Sequence, residues 1–396
     1  MEETEKKERL WNRNFVKMCI GNFMLFFAFY LIVPLLPLYL KDTFNADKQM
    51  IGFVLSGYIL TAMIVRPFGG FMVDSFPRKQ VLLICYFLFF IFFAGYVIAG
   101  TLLLFAIIRT LHGFSFGSLT VANSTVAIDV LYPSRRAEGI GYYGLSNNLA
   151  MATGPTVALY IYAVNPNFDI LFWLSLITSG IGLVVVSTIK TRPRDAVREK
   201  QPLSLDRFFL LKGMRAGTSL ACFSFAYGVL STYLAIYGKE EIGITSGTGT
   251  FFMLMAIGLM MSRLVGSRTL RLGKITQNAA VGACLSLLGY LLFAAIHEPW
   301  AYYSAAVIIG LGNGHMCPAY QTMFINLAPN SQRGTANSTF LTSWDVGIGL
   351  GIFVGGIVAE KGGYHDAFWA AFAINMIGVI VFYALVRAHY NKFKMR

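Results

Sequence analysis

Apolar residues dominate twelve stretches of the chain, and short polar breaks separate them. A helix that crosses a bilayer needs about 20 mainly apolar residues, and each stretch is close to that length. The predicted spans are 18–40, 50–70, 80–100, 102–126, 138–162, 169–189, 214–237, 248–267, 277–296, 300–325, 335–358 and 367–388. The pattern predicts an all-α integral membrane protein with twelve transmembrane helices.

One longer polar stretch divides these spans into two groups of six. It predicts an N-terminal bundle over 1–189, a cytoplasmic linker over 190–213 and a C-terminal bundle over 214–396. The halves also resemble each other. RPFGG at the end of helix 2 is matched by RLVGS 197 residues later, and IIRTLHG in helix 4 by IIGLGNG 201 residues later. A duplicated, pseudo-symmetric unit of this kind places a substrate site near the bilayer midplane, between the repeats.

The amino-acid composition indicates the environment in which this chain folds. Hydrophobic residues make up 56% of it and charged residues 13%, with a mean hydropathy of +0.61. A soluble protein usually carries about 25% charged residues, and this chain would expose far more apolar surface in water than a soluble monomer tolerates. The net charge of +13 does not indicate nucleic acid, because the bases lie in short clusters between apolar runs. The predicted environment is a lipid bilayer.

The positions of lysine and arginine predict the orientation. With the N-terminus in the cytoplasm, 27 of the 32 lysine and arginine residues fall on the cytoplasmic side. Four fall on the other side (Lys41, Lys48, Lys239 and Lys361), and Arg109 lies inside a span. The N-terminal stretch has no small-residue cleavage site, so its first apolar run is predicted to be a retained helix. A multi-pass protein of the cell membrane with both termini in the cytoplasm is expected.

The loop between helices 2 and 3 carries the most specific motif, GFMVDSFPRK. One acid and adjacent bases at a cytoplasmic membrane edge can pair with neighbouring helix ends, and Asp74 is placed to act as an anion near a helix N-terminus. The alternative is an ordinary positively charged cytoplasmic loop. Asp129, at the cytoplasmic end of helix 4, is expected to pair with loop bases.

G-x-x-x-D-x-x-x-R-K after helix 2, in a chain with six plus six helices, resembles the major facilitator superfamily. In that family the loop takes part in a cytoplasmic gate. The resemblance implies gating roles for Gly70, Asp74, Arg78 and Lys79, to which Asp129 is added as a pairing residue. Pro77 stands where the family usually has glycine, so the turn must be formed differently.

Two further motifs refine the resemblance. RTLHG, with Arg109 and His112, is similar to the family's R-x-x-Q-G pattern in helix 4. Gly141, Ala150 and Gly154-Pro155 in helix 5 partly match the G-x8-G-x3-G-P pattern of its drug:proton antiporter branch. Small residues and a proline are expected to let helix 5 approach the opposite half closely and bend there. This motif favours export.

Ionisable residues inside a bilayer are costly and usually functional. Asp345 is the one acid in the middle of a predicted span, and Arg109 the one base well inside a span. Asp345 could accept a proton, bind a cationic substrate or pair with a polar neighbour. Arg109 could serve coupling or substrate contact, or it could cap or bond a neighbouring helix. His112 and His315 are pH-sensitive candidates, although a lone histidine on an apolar helix often has only a structural hydrogen bond.

The resemblance implies that helices 1, 4, 7 and 10 line a central cavity. Asn22 and Tyr30 in helix 1 are therefore candidates for substrate contact, and so is Trp344 beside Asp345. Aromatic walls with few charges suit an amphipathic organic molecule, although such residues are equally expected to face lipid. Helix 1 has no acid between Met18 and Leu40, so the coupling residue stays open.

These features predict a secondary active transporter that works by alternating access, with proton-coupled efflux of amphipathic organic compounds. The alternative is an importer or facilitator of a small metabolite, or a translocator of a lipid-like substrate. An enzyme is not expected, because the chain has no metal-ligand cluster, GxSxG, Walker loop or HExxH. No cofactor, metal or nucleic-acid partner is predicted, and the expected state is a monomer.

Overall fold

The computed structural model describes residues 9–46, 48–191, 204–244 and 248–395, and most of them are helical. The first helices are α1 (Arg13–Ile32), α2 (Leu36–Phe44), α3 (Lys48–Ser75), α4 (Arg78–Ile98), α5 (Leu102–Asp129), α6 (Arg136–Val164) and α7 (Phe168–Ser187). They are followed by α8 (Met214–Glu241), α9 (Thr248–Arg271), α10 (Ile275–Ala295), α11 (Pro299–Leu327), α12 (Arg333–Val381) and α13 (Arg387–Phe393), with a π-helical turn at Phe382–Val386.

The predicted first span, 18–40, is wrong in one respect, because α1 ends at Ile32 and a turn precedes α2. Pro34 lies in that turn and Pro37 in the first turn of α2. A proline has no backbone N–H and disrupts a helix interior, whereas it is tolerated in the first turn. The two prolines therefore divide the apolar run into two helices.

The last two predicted spans, 335–358 and 367–388, lie in one helical assignment with a kink. Gly363, at φ 86° and ψ 171°, interrupts α12, and glycine adopts this positive φ at little cost. Counted on either side of the kink, the described residues contain twelve helical rods of at least 18 residues. The prediction of an all-α, twelve-helix protein is confirmed.

Length and composition identify seven segments of the described chain that could cross a membrane. The helix α11 is not among them, although it has 29 residues. It buries Asn313 and His315 and several glycines, which lower its mean hydropathy. Both polar side chains are buried, and His315 bonds to Asn278 of α10, so the lower hydropathy of α11 comes from residues that pack inside unit 2.

The chain forms two compact units. Unit 1 comprises Met1–Val65 and Ser75–Lys200, and within it α1 packs against α6 and α7 while α4 packs against α5. Unit 2 comprises Arg66–Asp74 and Gln201–Arg396, and within it α8 packs along α12 while α11 packs against α9 and α10. The end of α3 thus belongs by its contacts to unit 2.

The predicted linker, 190–213, is only partly covered, because 192–203 lie outside the described residues. Its later part forms two short 3-10 turns, Leu205–Arg207 and Leu211–Gly213, directly before α8. The backbone N–H of Leu210 donates to the Thr339 hydroxyl of α12 at 2.9 Å. These turns therefore pack on the same helix as the end of α3.

Candidate transport and gating sites

Residues Arg66–Asp74, here called the docked segment, lie against the N-terminal part of α12 within unit 2. Asp74 makes the most direct contact. Its Oδ1 accepts a hydrogen bond from the Gly334 N–H at 2.9 Å, and its Oδ2 accepts from the Thr335 N–H at 2.7 Å. The Thr335 hydroxyl lies 2.9 Å from the same Oδ2. Asp74 therefore binds two successive amides of α12.

The start of α12 explains why a carboxylate binds there. The first N–H groups of a helix have no partner within the helix, and Gln332, the residue before α12, makes no side-chain capping hydrogen bond. A negative charge near these groups is stabilised by the helix dipole. Asp74 supplies this cap from a distant part of the sequence.

Gly70 lies one turn before Asp74, on the same face of α3, and permits close contact with α12. A Cβ atom at this position would lie 2.8 Å from the Ser338 Cβ and 2.9 Å from the Gly334 carbonyl oxygen. Beside it, the Phe71 ring stacks on Phe208 with centroids 5.1 Å apart. The docked segment therefore contacts both α12 and the turns that precede α8.

The remaining motif residues lie in unit 1. Arg78 Nη1 is 2.6 Å from Asp129 Oδ2, which joins the start of α4 to the last residue of α5. Lys79 is partly exposed in the first turn of α4. Pro77 precedes that helix with a φ of −58°. Because this φ is negative, the turn forms without the glycine that the motif usually has.

The sequence-predicted gating residues thus divide into two groups. Gly70 and Asp74 of the docked segment contact α12 within unit 2, whereas Arg78 and Asp129 pair within unit 1. An alternation of acid and base in one loop predicts pairing, but it does not say which partner each charge takes.

Asp345 forms an ion pair with Arg66 of the docked segment. Arg66 also donates to the Leu341 carbonyl oxygen, one turn before Asp345, at 3.2 Å. The arginine is 7% exposed, and the aspartate side chain 21%. A charge pair this far from solvent is costly unless both partners are present.

Arg66 was not among the predicted site residues, because its place near the end of a predicted span groups it with the charges of the cytoplasmic loop. The interpretation of Arg109 as the only base well inside a span is therefore wrong: α3 continues to Ser75, more than two turns beyond Arg66. The spacing of the motif residues indicates that Arg66 belongs with them. Arg66, Gly70 and Asp74 are spaced by four residues, so they lie on one face of a helix.

Trp344 precedes Asp345 in α12 and packs against an aromatic ring of α8. Its ring centroid lies 5.8 Å from that of Tyr227. Trp344 is half-buried, so a partly accessible aromatic side chain directly precedes Asp345 in the sequence.

Arg109 lies in a separate aromatic cluster inside unit 1, where it is 3% exposed. Its guanidinium carbon is 3.9 Å from the centroid of the Tyr58 ring, and its Nη1 donates to the Tyr96 hydroxyl at 3.1 Å. The same hydroxyl is 2.7 Å from His112 Nδ1. The predicted neighbours Arg109 and His112 are therefore bridged by Tyr96 of α4.

Within the described residues, Arg109 makes no ion pair. Its charge instead faces the aromatic rings of Tyr58, Tyr96 and Phe29. Such cation–π contacts reach about 2 kcal/mol when desolvated. Arg109 thus belongs to an aromatic cluster of unit 1, and Asp345 pairs with Arg66 in unit 2.

We expect Tyr96→Phe to destabilise unit 1, because the hydroxyl contacts two buried polar groups at once. Loss of a buried hydrogen-bond partner costs about 1–3 kcal/mol, so the melting temperature of the purified protein should fall. Tyr160→Phe is the matched control, since Tyr160 is 72% exposed on α6. An unchanged melting temperature for Tyr96→Phe would show that the bridge contributes nothing to the fold.

Asn22 lies at the junction of three helices of unit 1. Its Oδ1 accepts from Asn123 Nδ2 of α5 at 3.0 Å, and its Nδ2 donates to Ser146 Oγ of α6 at 2.8 Å. The residue is 1% exposed. These hydrogen bonds within unit 1 account for a buried polar residue on α1.

Gly154 of α6 packs against α1 of the same unit. A Cβ atom there would lie 2.7 Å from the Tyr30 Cβ and 3.3 Å from its carbonyl carbon. The close packing of Gly154 is thus within unit 1, and the approach of helix 5 to the opposite half stays a prediction. Gly141 is buried on the same helix, and α6 continues through Pro155.

His315 is held between three helices of unit 2. Its Nδ1 is 2.9 Å from Asn278 Oδ1, and Asn278 Nδ2 donates to the His315 carbonyl oxygen at 2.8 Å. Thr269 of α9 donates to the same Oδ1 at 2.9 Å. These contacts are those expected if His315 has only a structural hydrogen bond.

Two relatives cover nearly the whole chain. The staphylopine export protein of Staphylococcus aureus is 23% identical over 380 residues, which is 93% of this chain and 94% of that protein. The quinolone resistance protein NorA of Staphylococcus aureus is 21% identical over 387 residues, 93% of this chain and 96% of that protein.

Solved structures share the fold at low sequence identity. The human organic anion transporter MFSD10 superimposes with a TM-score of 0.79 at 16% identity, over 93% of this chain and 99% of that one. A bacterial homologue of the iron transporter ferroportin gives a TM-score of 0.81 at 13% identity, over 95% and 98%.

A sequence model described as the Major Facilitator Superfamily matches residues 18–351 and 279–394. The predicted family, the transporter class and the multi-pass membrane location are thereby confirmed, and an enzyme is excluded. This chain belongs to the Major Facilitator Superfamily and is a membrane transporter of small molecules.

Proposed function

We propose that this transporter is a proton-driven exporter of amphipathic organic compounds, and that the Arg66–Asp345 pair is its coupling site. The observation that carries the proposal is the ion pair itself, which joins α3 to α12 deep inside two long helices. Export is supported by the two relatives, whose names describe an export protein and a quinolone resistance protein.

The ion pair and the Asp74 contact act on the same two elements. Arg66 and Asp74 are two helical turns apart on one face of α3, and both bind α12. Protonation of Asp345 would neutralise its carboxylate and remove the attraction to Arg66. Because a buried charge without its partner is strongly unfavourable, Arg66 would then leave its position. A proton bound at Asp345 thus favours release of the docked segment.

Release and rebinding of this segment can drive alternating access. Transporters of this type move one repeat against the other around a central site. A ligand or proton shifts such an equilibrium only by its differential affinity for the two states. Asp345 meets this requirement, since its charge is compensated when the segment is docked and uncompensated when it is released.

An amphipathic organic substrate is supported by the residues near Asp345. Trp344 and Tyr227 form an aromatic pair in unit 2, and apolar pockets with a few placed polar groups suit such molecules. Asp345 is the one acid among these three residues, so they suit either a neutral or a cationic compound.

The test is transport in inside-out membrane vesicles with an imposed pH gradient and a panel of fluorescent amphipathic dyes. We expect dye accumulation when the vesicle interior is acidic, and loss of accumulation when a protonophore dissipates the gradient. No flux across the panel, or flux that is insensitive to the gradient, would contradict the proposal. Net accumulation in intact cells would favour the importer or facilitator.

The orientation and assembly state belong to the same proposal. The distribution of lysine and arginine supports cytoplasmic termini, and a monomer is proposed because the repeat supplies both halves of the transport unit. A protease-cleavable C-terminal tag should be cut in inside-out vesicles and protected in intact cells.

A further inference from the structure

His297 and His365 contact each other within unit 2. His297 lies in the short connection between α10 and α11, and His365 follows the Gly363 kink in α12. His297 Nε2 and His365 Nδ1 are 2.9 Å apart, with ring centroids separated by 4.9 Å. His297 is exposed and His365 half-buried.

A third side chain determines which nitrogen of His365 carries the proton. The Trp369 indole Nε1 donates to His365 Nε2 at 3.1 Å, and an indole N–H can only donate. The neutral His365 ring therefore has its proton on Nδ1 and donates it to His297 Nε2. The lone pair of His297 Nε2 thus points at its partner ring.

We propose that these two histidines form a binding site for a divalent transition metal ion of the zinc type. Imidazole nitrogen is a preferred ligand of such ions. With Zn–N distances of about 2.0–2.1 Å, two ligands of a tetrahedral site lie about 3.3 Å apart. From the observed 2.9 Å, ion binding requires a few tenths of an ångström of separation and a rotation of each ring by about 35°, so that both lone pairs point at the ion.

The rest of the coordination sphere would be water or an external ligand. The described residues contain no cluster of three or more histidine, cysteine or acidic side chains that could hold a metal. Glu298 and Asp366 follow the two histidines directly in sequence and are exposed, so the site carries nearby negative charge. Two protein ligands and open positions make this an exchangeable site rather than a structural one.

Metal binding requires a defined proton shift. For Nδ1 of His365 to offer its lone pair, its proton must move to Nε2, and the ring stays neutral. The Trp369 indole N–H then loses its acceptor, because two donors would face each other. Binding should therefore change the environment of Trp369 and hold the α10–α11 connection against the second rod of α12.

The experiment is a Zn²⁺ titration of the purified full-length protein, followed by calorimetry and tryptophan fluorescence. His297→Ala keeps the His365–Trp369 hydrogen bond but removes one ligand. We expect its affinity for Zn²⁺ to fall by about 10- to 100-fold or more, since even partners outside the first coordination shell contribute that much. His389→Ala, a histidine of α13, should bind as the wild type does.

The variant Trp369→Phe distinguishes Zn²⁺ binding, measured by calorimetry, from the fluorescence change that reports it. It should retain the calorimetric affinity of the wild type, or exceed it, and lose the fluorescence change. The proposal is overturned if the wild type shows no saturable binding, or if His297→Ala and His365→Ala bind Zn²⁺ as tightly as it does. It rests on geometry in unit 2 and stands independently of the proposed direction of transport.

Discussion

Asp345→Asn is expected to abolish transport driven by a pH gradient. An asparagine cannot exchange a proton near neutral pH, and it leaves Arg66 buried without its counter-charge. Removal of one partner of a buried pair costs about 3–5 kcal/mol, so the docked contact should weaken as well. Dye accumulation in inside-out vesicles measures the loss.

A second variant separates coupling from stability. Arg66→Gln combined with Asp345→Asn removes both charges, and such neutral replacements of buried pairs are often tolerated. We expect the double variant to regain a melting temperature near that of the wild type while gradient-driven transport stays absent. Glu360→Gln, at an exposed carboxylate of the same helix, should transport normally. Full gradient-driven transport by the double variant would remove Asp345 from the coupling mechanism.

Gly70→Ala is expected to give the second large loss of transport. The added methyl group would meet the Gly334 carbonyl oxygen at 2.9 Å and Ser338, and a backbone oxygen cannot rotate away. Overpacking of this kind costs about 1–3 kcal/mol, which corresponds to a roughly 5- to 150-fold lower population of the docked segment. Initial rates of dye transport, normalised to the amount of folded protein, give the effect.

Gly349→Ala is the matched control for this substitution. Gly349 also lies in α12, but no atom lies within 4 Å of a Cβ placed there. Alanine is the better helix former by about 1 kcal/mol, so the control should be as stable as the wild type or more so, with unchanged transport. Equal transport by Gly70→Ala and Gly349→Ala would show that close docking on α12 is not required.

Much of the fold follows from the sequence because a bilayer imposes simple rules. Every backbone polar group in the hydrocarbon must be paired, which leaves helices as the solution for apolar runs of this length. The run at residues 18–40 shows the limit of that reasoning. Apolarity alone predicts one span, whereas Pro34 and Pro37 end α1 at Ile32 and start α2.

The candidate sites show a different limit. Asp345 is visible in the sequence because it is the one acid in mid-span. Its partner is not, since Arg66 is 279 residues away and lies near a cluster of loop bases. Likewise, the histidines of the proposed metal site are 68 residues apart and belong to no motif. Pairings at such separations depend on which helices pack together.

The sequence by itself determined the class of this protein. Apolar runs, the repeat and the GFMVDSFPRK loop specify a twelve-helix transporter of the Major Facilitator Superfamily, since length, hydropathy and local spacing are properties of the chain alone. Only the tertiary structure decided the partners of the charges: Asp74 with the start of α12, Arg78 with Asp129, and Arg66 with Asp345. The reason is physical, because the free energy of a buried charge depends on the groups that surround it, and packing brings those groups from distant parts of the chain.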